Sequence, residues 1–329
     1  MKDLLFKVCQ AWKDLGYDEE IGPILSFGTD GDFARRKLYA SLLRPLRPGE
    51  ISDNPNLKFM DMRTCRLHTE SDYKHNFKRP RNLFINLTRE IHIGDAVFGR
   101  DLLVEILTKY AVQYGQPSWH TLVNVKDKQD VSSACALFPI ALKCAEACVQ
   151  NGDYTDSPSK LKSLNGLLVY CKLWVTFYEA FYDLALDVEA RLRKLSTCAH
   201  LLLCIYLENS TSFIPSVLYF DMMSLIKTAF TLVNIFKRDY PHIPFYLQLL
   251  GSDLLEMLFS IVRTIHHGTN FDALILQHRL QYALTIEKIY HAHPSWRQKN
   301  KKTSGGDKID LGSIDEAICM VGNVIIHQA

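Results

Sequence analysis

The chain has 329 residues, 47% of them hydrophobic and 22% charged. About two domains' worth of chain with that apolar share excludes wholesale disorder and can bury a large core without staples. Net charge is only +2, yet between Asp30 and Glu90 there are 13 Lys and Arg against 8 Asp and Glu, and a basic third on a near-neutral chain points to a polyanion-facing surface.

The first predicted element is a helix, with Leu4, Leu5, Val8, Ala11, Trp12 and Leu15 on one face and Gly16 at its C′ position. Ile24–Phe27 reads as a short buried strand ended by Gly28-Thr29-Asp30-Gly31. Phe33–Leu43 reads as a helix stopped by Pro45 and Pro48. Leu57–Met62 alternates like a strand, and Cys65–Glu70 is placed to pair with it. His75–Leu87 is helical in pattern, with Pro80 marking a kink or a first turn.

From about Arg100 to Tyr240 the patterns are almost wholly helical. Leu102, Leu103, Ile106, Leu107 and Tyr110 form one stripe, and Asp130 suits an N-cap for Ser132–Val149. Leu161–Leu186 and Val188–Leu207 are long and apolar, and Pro215 opens a helix to about Arg238. Asp253–Arg263 and Phe271–His291 follow. Trp296–Asp307 is a basic, Gly-containing stretch expected to be flexible.

The nine Cys have no regular spacing, and the opening MKDLLFKVCQAWKDLG lacks a signal-peptide core. Reduced thiols in the nucleus or cytoplasm, not a secreted protein, are expected. The longest uncharged run, Tyr110–Val125, is rich in polar residues, so no membrane-spanning helix is expected. Cys135, Cys144 and Cys148 lack zinc-site spacing and read as buried structural thiols. His266, His267, His291 and His293 read as surface or loop residues.

Three segments carry candidate chemistry. GTDGDFARR (Gly28–Arg36) sets Asp30 at a strand end, where a rigid carboxylate suits a hard divalent cation; an Asp-Gly turn accounts for the same residues without chemistry. SDYKHNFKRPRN (Ser71–Asn82) gathers Lys74, His75, Lys78, Arg79 and Arg81, a set able to neutralise phosphates or simply to solvate a helix face. LLGSDLLEMLFSIVR (Leu249–Arg263) places Asp253 and Glu256 three apart on a helix that ends in Arg263; an amphipathic helix with an acidic first turn reads equally well.

In this order the segments resemble the ribonuclease H-like core of cut-and-paste DNA transposases of the P-element and hAT broad type. The resemblance rests on Thr29-Asp30-Gly31, on the D-x-x-H-x-x-K-R block Asp72, His75, Lys78 and Arg79, and on the D-x-L-E-x-L-F-x-x-x-R helix from Asp253 to Arg263. His200–Phe230 looks like the family's helical insertion, and His293-Pro294-Ser295-Trp296 with Arg297–Lys302 like its closing turn and basic stretch. The resemblance implies Asp30 and Glu256 as catalytic metal ligands. It implies two Mg²⁺ ions that activate a hydroxyl and stabilise a leaving oxygen during strand cleavage and transfer. DNA would be held by Lys74, His75, Lys78, Arg79, Arg81 and Arg263.

Three departures temper it. The family's first acidic strand, upstream of the TDG segment, is not recognisable, nor is an N-terminal zinc finger, and Ser260 stands where a Gly is common. The expected fold is therefore mixed and mostly α: an incomplete ribonuclease H-like α/β core interrupted by a large all-helical insertion. Its parts are 1–95 (partial α/β segment), 96–245 (helical insertion), 246–295 (returning core helices with the Glu motif) and 296–329 (basic tail). The expected function is that of a truncated transposase relative, catalytically incompetent alone. The alternatives are a non-enzymatic DNA-binding or regulatory protein, and an active nuclease whose missing carboxylate comes from Asp32 or Asp72. DNA is the expected partner, with no membrane and a homo-oligomer formed through the helical block.

Overall fold

Apolar residues recur at helical spacing over most of this chain, and the protein is accordingly mostly helical. A computed structural model describes residues 2–29, 36–38, 68–265, 272–296, 315–322 and 324. The opening helix α1 (Lys2–Asp14) ends as its sequence dictates: Gly16 adopts φ +76°, which an L side chain disfavours. After the short α2 (Tyr17–Glu20) comes β1 (Ser26–Thr29), two residues later than the apolar run suggests. It pairs in parallel with β2 (His68–Ser71), so that Ser26 faces His68 and Thr29 faces Ser71.

A parallel pair needs a long crossover, here residues 30–67. Residues 36–38 of the predicted Phe33–Leu43 helix are helical; the rest of that helix, Asp30, Asp32 and the predicted Leu57–Met62 strand lie outside the described residues.

The helix α3 (Tyr73–Phe84) starts where Asp72 accepts a hydrogen bond from the Lys74 amide, and Pro80 lies inside it rather than in its first turn. A hairpin that the sequence reading missed follows: β3 (Glu90–Ile93) and β4 (Ala96–Gly99), joined by Gly94 and Asp95. Gly94 has φ +55°, and a two-residue Gly-Asp link between alternating runs is itself a hairpin signal. The expected boundary at 95/96 therefore cuts a single unit.

Five helices complete the block: α4 (Arg100–Tyr110), α5 (Val131–Gln150), α6 (Pro158–Tyr182), α7 (Val188–Asn209) and α8 (Ser216–Asp239). Asp130 and Asp187 cap α5 and α7, accepting from the Ser133 and Ala190 amides. Residues of α3, the hairpin and α4–α8 form one continuous apolar core. At its centre the buried Tyr170 ring lies edge-on to Phe84, Phe138 and Trp174. The hairpin reaches α6 because Gly166 leaves room: a Cβ there would sit 2.5 Å from the Ala96 Cβ.

α5 and α8 are long and apolar enough to cross a membrane by length and composition alone. Uncharged runs alone do not pick them out, because hydropathy averaged over a window tolerates a few charges. Over half of the apolar stretch of α5 and 78% of that of α8 is buried inside the protein, as befits core helices. Cys144, Cys148, Cys171 and Cys198 are buried and free, and burial pushes the Cys144 thiol up to about 11. Beyond the block, α9 (Asp253–Thr264) packs on α10 (Ala273–Ala292). Most of the basic tail lies outside the described residues.

Candidate metal centre and basic helix

β2 runs directly into Asp72, so the carboxyl end of the parallel pair delivers that residue to the first turn of α3. Asp72 is 2% exposed and already engaged: Oδ1 accepts from the Lys74 amide at 2.7 Å. Its Oδ2 accepts from Ser252 Oγ at 2.5 Å and from the Ser252 amide at 3.3 Å, across 180 positions of sequence. The 248–252 segment is held there by Tyr73. That ring stacks on Phe181 with centroids 4.4 Å apart, and its hydroxyl donates to the Gln248 carbonyl. Gly251 passes so close that a Cβ would lie 3.2 Å from the Tyr73 ring.

Ser252 precedes α9 and brings Glu256, one turn on, into the same place. Ser252 Oγ lies 3.2 Å from Glu256 Oε1. A serine hydroxyl has one proton, so it donates to Asp72 or to Glu256 at any moment. His75 stands one turn into α3, its Nδ1 3.5 Å from Asp72 Oδ2. That nitrogen is buried yet makes no hydrogen bond. Ligand atoms of Asp72, His75 and Glu256 all fall within 4.8 Å of one another, the only such group of three among the described residues.

Two carboxylates and one imidazole whose Nδ1 makes no hydrogen bond fit a divalent cation. The imidazole makes the set suitable for Mn²⁺ or Zn²⁺ as well as for Mg²⁺, which prefers oxygen alone. Of the two expected ligands, Glu256 is exposed and belongs to the group. Asp30 lies outside the described residues; Thr29, just before it, is paired with Ser71, just before Asp72.

The basic residues of α3 divide by face. Arg81 is fully buried, and this corrects its expected role as a DNA contact. Its guanidinium donates to the carbonyls of Leu122, Asp127 and Asn124. Burial pulls its pKa below the ordinary value, opposed by the charges of Asp130 and Asp127. Lys78 is corrected likewise: it is 8% exposed and donates to Gln129 Oε1 at 3.0 Å. Asn82 completes the clamp with a bond to the Lys128 carbonyl. These residues pin the 122–129 loop to α3, and a backbone carbonyl served in this way takes the donors that a phosphate would need.

The other face stays accessible. Lys74 is partly exposed and lies over the Tyr73 ring, and Arg79 uses Nη1 on Asp221. Arg263 is exposed at the end of α9. Asp221, 3% exposed within apolar α8, also takes both arms of Arg36. An acid in the run VLYFDMMSL was the signal for this anchor, and the sequence reading passed over it. Comparison with protein-family models, curated proteins and solved structures found no match to this chain.

Proposed function

We propose that this is a DNA-handling protein of transposase type, with a divalent cation held by Asp72, His75 and Glu256 beside a basic helix face. The observation that carries this reading is the Asp72–Ser252–Glu256 contact. Two segments that resemble separate transposase motifs, and that lie 180 positions apart, meet at one point. A ribonuclease H-like core would place its carboxylates at strand ends in this manner, and the parallel pair that ends at Thr29 and Ser71 agrees with that.

A cation bound there would supply Lewis acidity toward a phosphate oxygen. The protein groups have their own tasks. Asp72 and Glu256 set two negative charges against each other, a repulsion that a cation relieves. Ser252 holds Asp72 in one orientation. Lys74, Arg79 and Arg263 offer charge to the nucleic-acid backbone without reading bases, so binding should be largely sequence-independent. Asp30 enters the ligand set through the resemblance alone.

A second reading has its own support. Both oxygens of Asp72 are hydrogen-bonded to protein donors, as in a purely structural cap, and the protein would then bind DNA without chemistry. Filter binding of duplex DNA over a salt series, with plasmid nicking in Mg²⁺ and Mn²⁺, separates the two. The proposed reading expects DNA affinity that rises with Mn²⁺ and loses that rise in Glu256→Gln. Nicking abolished by Glu256→Gln would extend it to an active nuclease. DNA affinity indifferent to both Mn²⁺ and Glu256→Gln favours the structural cap, and no DNA affinity at all overturns both.

A further inference from the structure

The accessible face of α3 does not end at the candidate metal centre. Arg79 lies one turn, ~6 Å, beyond His75, and Asn82 about one turn further. Both line a groove of about 550 Å³ between the end of α3, the 125–128 loop and the start of α8. Its floor is apolar, built by Leu83, Ile85, Val125 and Leu218. Its rim carries the cations Arg79 and Lys128, and among the described residues no carboxylate lines it. Of its lining residues, the function proposed above uses Arg79 alone.

We infer that the groove is a subsite for one unstacked nucleotide of a DNA strand whose neighbouring phosphate lies at Asp72, His75 and Glu256. This inference rests on the function proposed above. Three features select that occupant. The volume falls within the range of small-molecule sites, and one base with its sugar needs no more. An aliphatic floor can sandwich the face of a base, as enzymes that extrude nucleotides do with apolar side chains. The rim offers positive charge where the phosphate would sit: Arg79 commits only Nη1 to Asp221, and Lys128 makes no ion pair among the described residues. Successive phosphates on a strand are separated by a few ångströms, so a strand that touches His75 reaches the groove within about one or two nucleotides. The clamp made by Lys78, Arg81 and Asn82 is what holds the Lys128 wall in place.

The test uses the full chain and a short duplex with a single-stranded overhang carrying 2-aminopurine. An unstacked fluorescent base brightens when it leaves its neighbours. The expected result is a rise in emission on binding, with affinity for the overhang reduced about tenfold in Lys128→Glu and in the groove-filling Leu87→Trp. Leu87 is an exposed rim residue and Lys128 is exposed, so both variants should fold. Mn²⁺ affinity should be unchanged in both, because neither residue touches the metal group. A free deoxynucleoside monophosphate is the competing arm. If it displaces the overhang at low micromolar concentration, the groove serves free nucleotides and the assignment to a strand is overturned. No rise in emission, or a rise that survives both variants, overturns the subsite itself. Loss of Mn²⁺ binding with a retained emission rise would instead count against the proposed metal centre and leave the groove standing.

Discussion

From Val131 to Asp239 four helices pack most of their large apolar side chains against one another, with polar residues such as Asp130, Asp187 and Asp221 as caps and anchors. At the motif-bearing edge the balance is reversed. There α3 still sets Tyr73, Phe77 and Phe84 into the core, but the parallel pair and α9 meet it through a few directed hydrogen bonds, chiefly those of Asp72 and Tyr73, while Arg81 pins the 122–129 loop. On α9 and α10, Leu255, Phe259, Leu274 and Tyr282 remain exposed. Packing thus supplies the stability of the helical block, while hydrogen bonds supply the geometry of the edge. Damage should therefore lower stability in the first region and change binding in the second.

The largest loss is expected in the block. Phe138→Ala removes a fully buried ring that contacts Phe77, Tyr170 and Trp174, and should cost about 3–5 kcal/mol in chemical denaturation. A loss under 1 kcal/mol would mean that the core is looser than its packing implies.

Arg81→Ala tests the boundary between the regions. It strips donors from three loop carbonyls and should cost about 2–3 kcal/mol. The salt dependence of DNA binding should stay unchanged, because Arg81 is buried. Lys74→Ala should do the opposite, leaving stability within about 0.5 kcal/mol while flattening the log–log salt slope by up to about 0.9. A flattened slope in Arg81→Ala would restore that residue to the DNA surface.

Acid should act where β2 meets α8. His68 is buried, and burial together with the Lys227 charge lowers its pKa from 6.5 to about 4. The unfolded chain therefore binds this proton more readily than the folded protein does. The associated stability is fully present above pH 6.5 and is lost as pH falls toward 4, by up to about 3 kcal/mol. In His68→Gln, denaturation midpoints should fall less steeply over that interval. An unchanged profile would assign the acid sensitivity to other groups.

The smaller packing contact should register between these. Gly166→Ala forces a methyl against Ala96 and Phe98 of the hairpin and should cost about 1–3 kcal/mol. Hydrogen exchange should show the hairpin amides opening first. Uniform loosening of the block instead would show that the hairpin is not a separable contact.

The helical block was legible because periodicity and caps are local. Asp130 and Pro215 fix α5 and α8 nearly to the residue, whereas α6 starts three residues before the apolar run Leu161–Leu186 and ends four before its close. The β3–β4 hairpin was also written locally, in the Gly94-Asp95 link, but its strands are only four residues each, too short for alternation to stand out. At the site the sequence named Glu256 and His75 but cast them in different roles. It placed Asp72 in the D-x-x-H-x-x-K-R block and weighed it as a substitute carboxylate, and it passed over Ser252. Their meeting depends on contacts across 180 positions, which no periodicity encodes. Lys78 and Arg81 were misread for a related reason. A cation that serves loop carbonyls and one that serves phosphates have the same sequence signature, and only burial separates them.

The convergence of Asp72, His75 and Glu256 on one cation is tested most directly by titrating the metal-free protein with Mn²⁺, with free ion followed by electron paramagnetic resonance. The expected result is one bound ion per chain, with affinity reduced about tenfold or more in each of Asp72→Asn, His75→Ala and Glu256→Gln, while circular dichroism keeps its helical form. Unaltered Mn²⁺ affinity in all three variants, or no bound ion in the wild-type protein, would contradict a metal centre at the Asp72–Ser252–Glu256 contact.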